Sequence, residues 1–277
     1  MKQQLRFFLV FVVAFVSLTS VSADLSDGNI LYYDFEDDSD SSTAIDISSN
    51  GNDGSIVGAT YTTDSKVGNL SLDFDGSFDY VDAGEILSTT PNGFSFSAWV
   101  KYTDDSSLFM LANEKSSDNL FRIYLNNEGD VQVLQRSDNI FAKLDGYFSN
   151  SQIHDGSWNH LLISSDFNSR TIDFYLNGNK QTTNYTNQVQ TVQWSSLNMY
   201  LGGDHKNTRR YYQGQIDDPA IFDVALTSSE VQDLWSNGNG NKFYEEPTFT
   251  VSARDEFDNS TLQNFSLSVR HLDAGSI

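Results

Sequence analysis

Residues Leu72–Tyr102 read LDFDGSFDYVDAGEILSTTPNGFSFSAWVKY, and this stretch decides the fold. Its second half, Phe94–Val100, alternates with period two. Phe94, Phe96, Ala98 and Val100 point one way; Ser95, Ser97, Trp99 and Lys101 point the other. That is the pattern of a β-strand with one face in a core. Its first half, Leu72–Gly76, is a shorter strand that ends at a glycine, with Tyr80-Val81 beyond it. Pro91-Asn-Gly93 is a turn that launches the second strand. Two such strands are not stable alone in water, so the rest of the chain has to supply more sheet.

It does. Ile30–Phe35 reads as a first strand, followed by an Asp- and Ser-rich loop over Glu36–Asn50 and a turn-rich hinge into Ser55–Val57. Further strands are expected at Leu108–Ala112, Asn119–Leu125, Asp130–Gln135, Trp158–Ser164, Thr171–Leu176, Leu197–Leu201 and Gln213–Phe222. Asn126–Gly129 and Asn177-Gly178 are hairpin turns, the latter the strongest local turn signal in the chain. Only one helix is indicated. Thr227-Ser-Ser-Glu230 has capping-box spacing, Val231 and Leu234 share a face, and Gly238 is placed to stop it. Many short strands separated by Gly, Asn and Asp, with no helix–strand alternation, argue an antiparallel sandwich or jelly roll.

The chain has 277 residues, enough for one large β domain and an extra piece. Lys2 and Arg6 precede an apolar run, Phe7–Val16, and Val21-Ser22-Ala23 fits a cleavage site. Residues 1–23 are therefore expected to be a signal peptide, with a secreted or cell-surface location. The expected organisation continues with a sandwich over 24–244, a linker at 245–247, and over 248–277 an appended hairpin or the start of a second β domain.

The formal charge is −22, and loss of Lys2 and Arg6 from 16 basic residues leaves 14 against 38 acidic ones, near −24. A nucleic-acid or anionic-membrane partner needs clustered Lys and Arg, so neither is expected. There is no cysteine, which removes disulfides, zinc thiolates and a thiol nucleophile. Stability has to come from a large core, and 20 Phe, 13 Tyr and 4 Trp can provide one.

An ordered set of short motifs runs through the chain. It comprises Leu31–Phe35, Ser49–Gly54, Val67-Gly68, Leu72–Gly76 with Asp79-Tyr-Val81, Phe94–Val100, Trp158-Asn-His160, Phe174–Gly178, Tyr200–Gly203, Gly214–Asp217 and Ala225–Glu230. In this order the chain resembles the laminin-G-like jelly-roll domain of the concanavalin A-like lectin/glucanase superfamily, over roughly Asn29–Trp235. The resemblance implies an all-β, antiparallel two-sheet jelly-roll sandwich with one short C-terminal helix, and ligand sites on rim loops or a concave face. It implies no single activity, because the fold hosts lectins, adhesion modules, sugar-binding appendages and some glycosidases. One departure is Asp218-Pro219, where the family has an acidic residue and a valine; proline cannot donate to a ladder, so an edge or a bulge is expected.

Glucanases of this superfamily carry their acids on one strand as Glu-x-Asp-x-x-Glu, and that triplet is absent. The four histidines, His154, His160, His205 and His271, lie apart from any nucleophile or metal spacing. The chain reads as non-enzymatic.

Ca²⁺ is the candidate cofactor, because Asp- and Asn-rich loops supply hard oxygen ligands. The resemblance implies a first site joining Asp46, Asn50 and Asn52 to Asp217 or Asp218. A second resembles pentraxin calcium loops and would use Asp118, Asn119 and Asp204. The competing interpretation is that these are turn-forming residues. For sugar contact the chain has one basic–aromatic spot, Arg209, Arg210, Tyr211 and Tyr212, set against a solvated hairpin tip. Trp99, Trp158 and Trp235 read as packing residues. Sequons occur at Asn69, Asn184, Asn259 and Asn264.

The function expected is an exported, non-catalytic binding or adhesion module for a glycan or a cell-surface protein. The alternatives are a glycosidase or polysaccharide lyase of the same fold, and a purely structural domain of an envelope or virion surface.

Overall fold

The stretch Leu72–Tyr102 crosses the molecule twice. Ser71–Asp75 lies in one sheet, Tyr80–Gly84 in the other, and Gly93–Tyr102 returns to the first. The computed structural model describes residues 25, 27–48, 50–102, 108–116, 119–125, 130–136, 146–149, 153, 156–182, 198–203, 211–240, 248–254 and 261–268. It describes backbone alone at 108–116, 119–120, 124–125, 130, 134–136, 146–149, 248–254 and 261–268.

The unit Ser22–Lys242 holds sixteen of the strands. They are β1 (Asn29–Tyr32), β2 (Thr43–Ala44), β3 (Gly54–Val57), β4 (Thr60–Thr62), β5 (Ser71–Asp75), β6 (Tyr80–Gly84), β7 (Gly93–Tyr102) and β8 (Leu108–Ser116). Then come β9 (Asn119–Leu125), β10 (Asp130–Arg136), β11 (Gly146–Ser149), β12 (Trp158–Asp166), β13 (Thr171–Leu176), β14 (Asn179–Lys180), β15 (Met199–Leu201) and β16 (Gln213–Phe222). The helix α1 (Ser228–Trp235) follows. One sheet runs β14-β13-β12-β7-β16-β5-β4, with β1 also on β16; the other runs β11-β10-β9-β8-β15-β6-β3-β2. The pairings are antiparallel, for example β7 with β12 and β7 with β16. The expected two-sheet sandwich is therefore present.

The inward residues of the two sheets meet in the middle. Phe94 on β7 and Phe121 on β9 stand 4.8 Å apart, ring centroid to centroid, at 63°. Phe96, Ala98, Leu161, Ile163, Ile123, Val131 and Val133 are fully buried around them. Each large apolar side chain removed from water in this way contributes about 1.5–3 kcal/mol. A cavity of about 10 Å³ remains, lined by Leu31, Phe96 and Ile221 from one sheet, Ala83, Met199 and Leu201 from the other, and Tyr33 just beyond β1. It is apolar and only about the size of a water.

The face of β7 expected to be polar is buried as well. Ser95, Ser97 and Trp99 are at most 3% exposed. The segment after β16 covers Ser95. Ser95 Oγ donates to the Val224 carbonyl at 2.8 Å and accepts from the Leu226 amide at 3.0 Å. Ser164 Oγ donates to the Leu226 carbonyl, and Leu226, Val231 and Leu234 are buried beside them. The alternation therefore distinguishes the chemistry of two buried faces rather than a dry face from a wet one. Small hydroxyls let the cover lie close and satisfy its backbone groups.

Helix α1 begins with the expected capping box: the Thr227 side chain accepts from the Glu230 amide, and the Glu230 carboxylate accepts from the Thr227 amide. Its end differs from expectation. Ser236, not Gly238, takes the left-handed cap, with φ 47° and its N–H on the Gln232 carbonyl. The Asn177-Gly178 turn has φ of 50° and 72°, as a type I′ hairpin requires, and joins β13 to β14. At Asp218-Pro219 the strand is bulged, with a register shift between Asp217 and Ala220. It is not an edge, because β16 has β7 on one side and β5 and β1 on the other.

Beyond this unit, β17 (Thr248–Arg254) and β18 (Thr261–Ser268) form a two-stranded antiparallel hairpin, in the place where a hairpin or a second domain was expected. The expected signal peptide at 1–23 and the expected linker at 245–247 lie outside the described residues.

Candidate functional site

Asp46 organises the early loop from the inside. Its Oδ1 accepts from the backbone amides of Tyr32 at 3.0 Å and Ser48 at 2.9 Å. Its Oδ2 accepts from Ser48 Oγ and the Asn52 amide, both at 2.9 Å. Asn50 turns its side-chain amide onto the Asn29 carbonyl at 2.9 Å, and Asn52 donates to the Ile30 carbonyl at 2.7 Å. The three residues come together in one loop. They tie the loop to β1 rather than open toward a cation. A Ca²⁺ ion needs six or more oxygens, and four donors already occupy Asp46. In this structure the Asp46 carboxylate is turned to the donors of its own loop.

Asp217 holds a different loop. It is fully buried in the β16 bulge, and its Oδ2 accepts from the amides of Lys66 at 2.7 Å and Val67 at 2.9 Å. Its Oδ1 has no hydrogen-bond partner. Burial pushes its carboxyl up to about 7, against the lowering effect of the Val67, Lys66 and Asp218 amides. Asp218, with φ 48°, lies beside Tyr32; burial first, then the Asp218 charge, pushes the Tyr32 hydroxyl far up. Among the described residues, no three Asp, Glu or His side chains gather as a metal-holding group. Of the second calcium set, Asp118 and Asp204 lie outside the described residues, and Asn119 is seen only as backbone at the start of β9.

Sequence reasoning missed Glu36. Its Oε1 accepts from the Asn69 amide at 2.8 Å and the Leu70 amide at 3.2 Å, and its Oε2 accepts from Asn69 Nδ2 at 3.1 Å. Glu36 and Asp217 thus grip the 66–70 loop from two sides. Gly68, with φ 69°, makes room for this, since a Cβ there would lie 2.0 Å from Glu36 Oε1. That loop roofs a row on the outer face formed by Asp217, Trp99 and His160, which are direct neighbours across β16, β7 and β12. Trp99 is 3% exposed, packed at 5.1 Å from His160 and covered by Lys66 Nζ at 4.8 Å. It packs, as expected. Trp158 is half-buried and donates to Asp64, which also pairs with Lys101 at 2.6 Å.

The basic–aromatic spot corrects one expectation. Tyr212 is not a sugar platform. It is fully buried, donates to the Gln215 carbonyl at 3.2 Å, and packs edge-on to Phe74 at 5.9 Å. Tyr211 is 5% exposed and pairs through Gly203 with the end of β15. Gly203 has to be glycine, because a Cβ would lie 2.6 Å from the Tyr211 ring. What faces solvent here is Phe78, 59% exposed and 5.0 Å from Tyr211. Arg209 and Arg210 lie outside the described residues.

Comparison with known proteins agrees with this architecture. No curated protein matches the chain by sequence. Among solved structures, domain 4 of AbnA, a GH43 extracellular arabinanase from Geobacillus stearothermophilus in complex with arabinotriose, is similar. It is 22% identical with a TM-score of 0.54, over 74% of this chain and 97% of that one. The binding domain of botulinum neurotoxin serotype D/C is similar at 13% identity and a TM-score of 0.58, over 83% of this chain and 61% of that one. A Trypanosoma rangeli sialidase mutant displaying trans-sialidase activity is similar at 14% identity and a TM-score of 0.55, over 78% of this chain and 34% of its own length. At these identities the likeness is one of fold. A family model for laminin-G-type domains matches residues 75–232, from the end of β5 into α1, and by that match the chain belongs to the concanavalin A-like lectin/glucanases superfamily.

Proposed function

We propose that the protein is an exported, non-catalytic binding module whose partner is a carbohydrate, presented free or on a cell surface. The observation that carries this is the employment of its buried acids. Asp46, Asp217 and Asp79 are at most 8% exposed, and each is bonded to backbone amides that shape a loop. Glycoside hydrolysis needs two carboxyl groups about 5–10 Å apart facing a substrate, one of them free to donate a proton. Acids spent on loop geometry serve a rigid recognition surface instead.

The similar structures support a binding role by analogy. One is a domain of an arabinanase holding arabinotriose, and others are toxin binding domains, one of them in complex with rat synaptotagmin II. The export part rests on the leader-like pattern of residues 1–23. Glycan-array and pull-down assays test the reading. Retention of a defined saccharide class supports it. No ligand in either assay, with and without Ca²⁺, sinks it.

A further inference from the structure

The turn between β5 and β6 carries a side chain that folding does not account for. Phe78 is 59% exposed, the most exposed of the large apolar side chains described. Its backbone has φ 67°, in the left-handed region. A bulky residue is disfavoured there, while glycine or asparagine is tolerated at little cost. Burial would offset that strain, but most of this ring is in water. A solitary exposed apolar residue needs no explanation. A strained aromatic, fixed in orientation and open on one side, does.

The turn holds the ring in place. The Asp75 amide donates to Asp79 Oδ2 at 2.6 Å, closing the loop, and the Ser77 amide donates to Asp75 Oδ1 at 2.7 Å. One side of Phe78 rests on Tyr211 at 5.0 Å and 43°, and Tyr211 in turn lies against Gly203. Asp75 and Ser77 are exposed in the same turn and offer a carboxylate and a hydroxyl. An open aromatic face with hydrogen-bond acceptors at its rim matches a sugar ring, which has an apolar C–H face and hydroxyl donors at its edge. The net charge of −22 opposes anionic saccharides.

We infer that Phe78, braced by Tyr211, is the stacking platform of a saccharide site, and that the ligand is a neutral oligosaccharide. This rests on the binding reading above and assigns its place. The test uses the full protein on an array of neutral and anionic oligosaccharides, followed by calorimetric titration with the best-bound neutral one. The variants are Phe78→Ala, Phe78→Trp and Phe78→Asn. Phe78→Ala is expected to weaken binding at least about tenfold, the loss expected for removing an aromatic contact. Phe78→Trp should stay within about threefold, well under the 1.4 kcal/mol that a tenfold change represents. Phe78→Asn should melt no lower than the wild type, because asparagine suits the left-handed turn, and yet bind as poorly as Phe78→Ala. It decides the matter if the alanine variant fails to fold. A wild type that binds a neutral saccharide equally well after Phe78→Asn overturns the Phe78 site but leaves the binding reading standing. Retention of anionic saccharides alone overturns the ligand class. A wild type that retains no saccharide overturns both.

Discussion

His160 stands directly opposite Trp99 across β12 and β7, their rings 5.1 Å apart, and its Nε2 lies 2.9 Å from Ser97 Oγ. The imidazole is buried away from any carboxylate hydrogen bond, and burial holds its pKa down to about 3. The fold therefore keeps the neutral form, while the unfolded chain takes up a proton near pH 6.5. Stability from this residue is complete above pH 6.5 and is lost as pH falls from there toward 3, at up to about 1.4 kcal/mol per pH unit. Urea unfolding of the wild type and His160→Gln between pH 4 and 7 checks it. The variant should lose less stability on acidification, and parallel acid limbs would contradict the assignment.

Asp217 works in the opposite sense. Its carboxyl is raised to about 7 by burial, so the folded state holds a proton that the unfolded state releases near pH 3.8. Its contribution declines as pH rises from about 4 to 7. Asp217→Asn keeps an acceptor for the Lys66 and Val67 amides and removes the titration. Its stability relative to the wild type should therefore improve steadily across that pH window. A difference that stays constant with pH would show that Asp217 is already ionised in the fold.

The early loop is expected to depend on Asp46 and not on calcium. Asp46→Ala strands the buried amides of Tyr32 and Ser48 and the half-buried amide of Asn52, each costing about 1–3 kcal/mol if water cannot reach it. A loss of several kcal/mol by chemical denaturation is expected, with Asp46→Asn milder. Excess Ca²⁺ over chelator should leave the melting temperature unchanged. A rise that Asp46→Ala abolishes would place a calcium ion in this loop.

The cover over the outer face hangs on α1. Thr227→Ala removes the capping box and should cost about 1 kcal/mol. Val231→Ala, on the buried side of α1, should cost about 2 kcal/mol or more by opening a cavity beneath the helix. If Val231→Ala costs nothing, the segment after β16 does not seal that face.

The strands were legible because period-two alternation and Asn-Gly turns are local. Asn119–Leu125, Thr171–Leu176 and Gln213–Phe222 have the bounds expected of them. The two-residue strands Thr43–Ala44 and Asn179–Lys180 were not legible, since two residues carry no period. Nor did alternation show that Ser95 and Ser97 are buried, because Ser95 is covered by residues about 130 positions away and Ser97 packs on His160 of a strand 63 positions away. The site was less legible still. Tyr211 and Tyr212 are adjacent and chemically alike, yet one ring lies under Phe78 and the other enters the core. Phe78 sits in a sequence of turn-formers where its positive φ leaves no mark, and only the structure brings it to Tyr211.

The most direct test incubates the protein with insoluble and soluble polysaccharides and reads two quantities from the same tube: protein retained on the polysaccharide and new reducing ends released. Retention with no release above a heat-inactivated control is the expected result. Release of reducing ends or unsaturated sugars that disappears when a single rim carboxylate is changed would contradict it and make the protein an enzyme.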